Sequence, residues 1–374
     1  MASIPPGWTA RLQATAADLQ SRSRQRTYRT VEQREGMRVR VDGCELLDFC
    51  SNDYLGLAAG TSNTLWSGAP GSGSAHLVSG HTAEHVELER TLCQWLGAES
   101  ALLLSSGYQA NLAAITGLCG PDDLCVQDKL NHASLLDAAQ LAGCVSRRYP
   151  HLDMDGLQRQ LQTPTKGLKL IASDAVFSMD GDVADPAALR AADPDALLYL
   201  DEAHSIGVLG GHHGEGIGRE HAHLRLVTFG KALGTGGAAL LGSKELIAHL
   251  RQTARPSIFT TALPPALASR TSEHIRTIQS SDVVERLTAH RQYLRERADA
   301  LGLPLQGGDS AIFVLPIGSD ADALARSQQL WQRGVWVSGI RPPTVPEGTA
   351  RLRITLSAAH TRADIDTLLE ALAA

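Results

Sequence analysis

The 374-residue chain predicts an α/β fold, with a mainly parallel central sheet covered by helices on both faces and a small α+β domain after it. Three observations predict this. From residue 101 onward, short apolar runs alternate with helical stretches, as in repeated strand-helix-strand units. The runs are nearly continuous in Val, Ile, Leu and Ala, as strands buried on both faces are. After Pro264-Pro265 the pattern changes to long helix rich in Arg, Glu and Ala, and then to short strands interleaved with helices.

Residues 8–24, rich in Ala, Leu, Gln and Arg, read as a helix. The run from Met37 to Phe49 reads as a hairpin turning at Asp42-Gly43. Residues 1–50 therefore form an N-terminal arm. Apolar runs at 101–104, 123–126, 145–149, 168–173, 196–200, 224–229 and 238–241 supply the sheet of a large domain spanning 51–275. A long helical segment then runs to about residue 300. Runs at 311–315, 335–340 and 352–356, with helices near 321–333 and 361–373, make a small domain of 276–374. In such sheets the ligand sits at the carboxyl ends of the strands.

A net charge of −6 argues against a nucleic-acid partner, which would need a basic face. Arg22, Arg24, Arg26 and Arg29 are the local exception and read as a solvated helix face or a single anion contact. The six cysteines lie in the first half without CxxC pairing, so neither zinc nor a disulfide framework is expected. His212-His213 and His221-Ala-His223 lack carboxylate or cysteine partners, and no metal is expected there. The amino terminus lacks a signal-peptide pattern and no apolar run approaches the ~20 residues of a membrane helix. The expected location is cytoplasmic.

The chemistry concentrates between Tyr199 and Lys231. Asp201 ends the run Ala-Leu-Leu-Tyr-Leu, at the exit of a buried strand. A carboxylate there needs a partner, and a protonated pyridine nitrogen suits it. Lys231 follows another strand in a turn flanked by Gly230 and Gly234, where desolvation turns a lysine into an amine nucleophile able to form a Schiff base. Thr228 can offer its hydroxyl to a phosphate. Gly107 and Tyr108 open a helix directly after the run 101–104, and the amides of such an N-terminus bind anions. His132, in Asn131-His-Ala-Ser134, can stack on a planar ring, and Ser178, in Phe177-Ser-Met-Asp-Gly181, can bond a ring oxygen. Taken singly, each of these residues is as well explained as a cap or a loop residue. Together they describe a site for pyridoxal phosphate.

The set resembles the α-oxoamine synthases, fold-type I pyridoxal-phosphate enzymes that join an amino acid to an acyl thioester and release carbon dioxide. The resemblance rests on Ser51-Asn-Asp-Tyr-Leu-Gly-Leu57, Gly71-Ser-Gly-Ser74, Leu77-Val-Ser-Gly-His81, Asn131-His-Ala-Ser134, Phe177-Ser-Met-Asp-Gly-Asp182, Asp201-Glu-Ala-His204 and Thr228-Phe-Gly-Lys231. It covers nearly the whole chain and is weakest over the first thirty residues.

What the resemblance implies is specific. Lys231 carries the cofactor and acts as the base at the amino-acid α-carbon. Asp201 pairs with the pyridine nitrogen, His132 stacks on the ring, and Ser178 and His204 lie on the ring-oxygen side, with His204 as donor to a developing oxyanion. Gly107, Tyr108 and Thr228 hold the phosphate. Thr261 reaches the phosphate in the neighbouring subunit, which implies a homodimer with shared sites. Arg353 receives the amino-acid carboxylate, Asn52 is a further substrate contact, and Thr344 and Arg26 lie on the acyl side, with Arg24 the alternative to Arg26.

Within the family, the tail from Ile340 to His360 resembles the branch that condenses L-alanine with a pimeloyl thioester in biotin synthesis. Its partners would be L-alanine and pimeloyl-CoA or a pimeloyl-acyl carrier protein. The alternatives are another family member, using glycine or serine with a different acyl-CoA, or a pyridoxal-phosphate aldolase or lyase. The sequence departs from the family at a shortened segment between Ala58 and Gly71, at His76, where arginine is often found, and at His81, where tyrosine or a small polar residue is more usual.

Overall fold

The computed structural model of the chain describes residues 2–58 and 67–374. The segment expected to be shortened falls largely on 59–66, outside the described residues. The large sheet runs in the order Ser100–Leu104, Ala238–Gly242, Leu224–Thr228, Leu197–Asp201, Lys169–Asp174, Leu124–Asp128 and Val145–Tyr149. Pairing is parallel from Leu224–Thr228 to Val145–Tyr149, and Ala238–Gly242 runs antiparallel to both of its neighbours.

Both faces of the sheet are covered. On one face, Leu102, Leu104, Leu170, Leu226 and Leu240 pack with Ala110, Ala113, Ala114, Leu135 and Ala138 of the helices Gly107–Leu118 and Ala133–Ala142. Alternate residues of the strands, Val126, Ile171, Leu198 and Leu200, face the helix Met154–Leu161 through Leu157 and Leu161. Burial of both faces explains the unbroken apolar runs. It also leaves the strand ends as the places where polar side chains converge.

The N-terminal helix covers Pro6–Ser21 and buries none of its residues. It ends before the arginine cluster, so those arginines do not form a helix face. Arg24 donates to Asp320 at 2.9 Å and to Glu347 at 2.5 Å. Arg29 donates to Asp42 at 2.9 Å and lies over the Trp331 ring. The hairpin turns at Asp42-Gly43, both with positive φ, and its strand Cys44–Asp48 runs parallel to Val335–Trp336, which ties the arm to the last third of the chain.

Two expectations are corrected. The segment after Pro264 is two helices, Pro265–Ser280 and Val283–Ala300. The hydroxyls of Ser280 and Ser281 bond back to the carbonyls of Arg276 and Thr277, competing with the helical amides where the chain turns. The run 335–340 is likewise two strands: Val335–Trp336 joins the arm, whereas Ser338–Ile340 joins an antiparallel sheet with Ala350–Thr355, Ile312–Gly318 and Gln306–Gly307.

Candidate active site

Adjacent parallel strands end in register on Asp174 and Asp201. Asp201 accepts from Asn111 Nδ2 at 2.7 Å and from the Ala203 amide at 3.0 Å. Asn111 is held in turn by the Tyr199 hydroxyl at 2.6 Å, and its Nδ2 also lies 2.8 Å from Ser134 Oγ. Asp174 accepts from the His132 amide at 2.7 Å. Burial, and then the neighbouring Asp201, raise the Asp174 carboxyl well above the ordinary range.

Lys231 follows Leu224–Thr228 in a turn closed by the Gly234 amide donating to the Lys231 carbonyl at 2.8 Å. Gly234 has φ 62°, and a Cβ there would lie 2.5 Å from the Ala58 amide nitrogen, so only glycine fits the turn. Burial lowers the Lys231 ammonium to about 8, against the opposing pull of Asp201 and Asp174. Its Nζ lies 2.7 Å from His204 Nε2, and His204 Nδ1 lies 2.6 Å from the Tyr54 hydroxyl. Burial beside Lys231 pushes His204 well below its usual value, so the imidazole is neutral. The chain of contacts continues outward: Tyr54 lies 3.2 Å from Asn52 Oδ1, which also accepts from Arg353 Nη2 at 3.2 Å. Arg353 Nε donates to the Ser178 carbonyl at 2.5 Å.

These residues line two cavities. The inner one, of about 280 Å³, is walled by Gly107, Tyr108, Asn111, His132, Asp174, Ser178, Asp201, His204, Thr228 and Lys231. At its far end the helix Gly107–Leu118 begins, capped by Ser106 Oγ accepting from the Gln109 amide, which leaves the Gly107 and Tyr108 amides without acceptors inside the helix. A Cβ on Gly107 would lie 2.5 Å from Thr228 Cγ2, so the helix start presses against the strand that leads to Lys231. The outer cavity, of about 900 Å³, shares His132, Ser178, His204 and Lys231 and adds Arg26, Asn52, Lys129, Arg148, Thr344, Arg351 and Arg353.

Every residue expected at the site except Thr261 therefore lines one of the two cavities. Thr261 is exposed and pairs with Ala75, outside both walls of its own chain. Arg26 reaches Thr344 at 3.5 Å, whereas Arg24 is held by its two carboxylates, so Arg26 is the one facing the outer cavity. Sequence reasoning missed Asn111, Tyr54, Asp174, Lys129 and Arg148. Asn111 had a legible signal, lying one helical turn after Gly107, and Tyr54 lay inside the quoted motif at 51–57.

The model of the family described as aminotransferase class I and II matches residues 45–372. The 8-amino-7-oxononanoate synthase of Stenotrophomonas maltophilia is 48% identical over 98% of this chain and 94% of its own. The chain belongs to this family. A second synthase of that name, from Xanthomonas oryzae pv. oryzae, is 46% identical over 94% of this chain and 92% of its own. Among solved structures, serine palmitoyltransferase from S. paucimobilis with bound PLP superposes with a TM-score of 0.87 at 27% identity, covering 97% of this chain and 96% of that one. The 8-amino-7-oxononanoate synthase of Francisella tularensis gives 0.74 at 27% identity over 88% and 97%.

The family is pyridoxal-phosphate dependent, and the inner cavity fits that cofactor. It combines an amine with a depressed pKa, a buried carboxylate held by Asn111 and a helix start with free amides within one space. Asp201, His132, Ser178, His204, Gly107, Tyr108 and Thr228 all line that space.

Proposed function

We propose that the chain condenses L-alanine with a pimeloyl thioester, giving 8-amino-7-oxononanoate, carbon dioxide and free thiol. The observation that carries the reading is the line of hydrogen bonds from Arg353 through Asn52, Tyr54 and His204 to Lys231, which joins a carboxylate receptor to an amine base across two communicating cavities. The names of the relatives support the choice of alanine and the pimeloyl group.

Pyridoxal phosphate, when bound, supplies an electron sink for negative charge at the amino-acid α-carbon. Arg353, 6% exposed and anchored through Nε to the Ser178 carbonyl, keeps its outer guanidinium edge for the alanine carboxylate. Lys231 takes the α-proton, a task its depressed pKa prepares at neutral pH. His204 is held at Nδ1 by the Tyr54 hydroxyl, 2.6 Å away, and presents Nε2 2.7 Å from Lys231 Nζ, so the proton shared between imidazole and amine lies in the space beside Lys231. That proton is the donor for the acyl carbonyl oxygen as the new carbon-carbon bond forms and the thiolate leaves. Loss of the alanine carboxyl as carbon dioxide is followed by return of a proton to the same carbon from Lys231.

Arg26 and Thr344 hold the acyl donor at the mouth of the outer cavity. Thr261, exposed and outside its own cavity walls, serves the phosphate of a second copy in a homodimer. A cytoplasmic location suits these substrates, and among the described residues no helix is long and apolar enough to cross a membrane.

The test supplies purified holoenzyme with L-alanine, glycine or L-serine, and with pimeloyl-CoA or a pimeloyl-acyl carrier protein. Thiol release and oxononanoate formation with alanine are expected. Absence of both with either donor would overturn the assignment.

A further inference from the structure

His76, His81 and His85 bring one ring nitrogen each to within 4.8 Å of one another, in a group apart from the residues that line the two active-site cavities. The local backbone explains why. Residues His76–Gly80 form a single π-helical turn, with the Gly80 amide donating to the Ala75 carbonyl at 3.0 Å. A turn closed by such an i→i+5 bond brings His81, the extended residue that follows it, back beside His76. His81 and His85 are then four apart across the start of the helix Ala83–Leu96, and their rings stack at 5.5 Å.

We infer that His76 and His81 are a chelating pair for a divalent transition-metal ion, with His85 placed to give a third nitrogen. Their Nδ1 atoms are 2.9 Å apart. Two nitrogens at that separation, each ~2.0–2.1 Å from an ion, subtend about 90° there. That is the angle between neighbouring ligands in tetragonal or octahedral coordination, so the pair selects Cu²⁺ or Ni²⁺ over tetrahedral Zn²⁺. His76 Nε2 is buried without a partner, and the ring is held through Nδ1, hydrogen-bonded to His81, and through its contacts with the His81 and His85 rings; an ion bound by the two Nδ1 atoms replaces that hydrogen bond.

The surroundings set the order of the ligands. His85 Nδ1 already accepts from the Thr82 amide at 2.9 Å, and Nε2 lies 2.6 Å from the Leu263 carbonyl, so its ligation displaces one of these bonds and is the weakest of the three. The adjoining cavity of about 270 Å³ is lined by Glu89, which burial pushes up to about 7 and which favours a cation only in its ionised form, and by Arg251, which opposes one. The site is independent of the catalytic reading.

The test is titration of the holoenzyme with CuCl2 and NiCl2 by calorimetry, with nitrogen hyperfine structure in the Cu²⁺ electron paramagnetic resonance spectrum as the second readout. Because the cofactor itself chelates metals, the decisive quantity is the difference between variants. His81→Ala removes an exposed side chain and leaves the fold intact; it and His76→Asn are expected to weaken binding at least tenfold and to reduce the nitrogen coupling, while His212→Ala changes neither. Equal affinity in wild type and His81→Ala, or no binding beyond the cofactor's own, would overturn the site.

Discussion

The two cavities that meet at Lys231 are built from different kinds of chain. The inner one is assembled from neighbouring strand ends of one sheet and the helices that follow them, within residues 105–237. The outer one joins strand-end residues such as Lys129, His132 and Arg148 to the extremities of the chain: Arg26 before the first strand, Asn52 after the arm, and Thr344, Arg351 and Arg353 from the last thirty or so residues. The inner cavity is therefore fixed by the sheet's hydrogen-bond register. The outer one depends on how the arm and the tail are tied, through pairing of Cys44–Asp48 with Val335–Trp336 and through Arg24 with Asp320 and Glu347. Inner changes should abolish chemistry, and outer changes should alter which substrates are accepted.

The largest effect is expected at Lys231. Lys231→Ala should lower kcat by at least about 10⁴-fold, since nucleophile and base are lost together, and the visible absorbance of the bound cofactor should move. Stopped assays and a spectrum check both. Asp201→Asn, which leaves the shape of the cavity but removes the buried charge, should lower kcat/KM by about 10²–10³-fold, the scale of breaking a buried charge pair. Asn111→Leu, which strips one hydrogen bond from Asp201, should give a smaller loss of about tenfold.

How much of this was legible follows the same division. Asp201 and Lys231 could be read because each directly ends or follows an apolar run, so local sequence gives both the burial and the exit. Asp174 ends a run in the same way, yet its importance lies in standing beside Asp201 across the ladder, and register between strands is not written in either strand alone. Tyr54 and His204 are 150 residues apart and meet only once the arm folds back. The run 335–340 looked like one strand because its composition is continuous; its division between two sheets is decided by the separate partners Leu47 and Leu352.

The outer cavity sharpens the comparison through smaller effects. Arg353→Lys should raise the KM for L-alanine by about 10–100-fold, because a point charge replaces a two-pronged donor, with a smaller change in kcat; a steady-state comparison of the two parameters separates them. Arg26→Ala should raise the KM for the acyl donor a few-fold and leave alanine binding unchanged. Arg24→Ala should lower thermal stability slightly, as loss of surface ion pairs does, without moving either KM. If Arg24→Ala raised the acyl-donor KM more than Arg26→Ala, the outer wall would be wrongly drawn.

The pH dependence tests the inner cavity from another side. With its pKa lowered from 10.5 to about 8, Lys231 is neutral to the extent of about one tenth at pH 7, against about one part in three thousand for an ordinary lysine. Desolvation disfavours the charged form, so the free amine is gained as pH rises through 8. Capture of added pyridoxal phosphate by cofactor-free protein should therefore accelerate up to about pH 8 and then level off. A rate still rising near pH 10 would place Lys231 in water.

The most direct measurement of the division between the cavities uses L-alanine labelled with ¹³C in its carboxyl group together with pimeloyl-CoA, counting labelled carbon dioxide against free thiol. The account predicts one of each for every oxononanoate formed by the wild type and neither from Lys231→Ala, while Arg26→Ala keeps the one-to-one ratio at a lower rate for the same donor concentration. Labelled carbon dioxide released without thiol would show loss of the carboxyl uncoupled from carbon-carbon bond formation, and would contradict it.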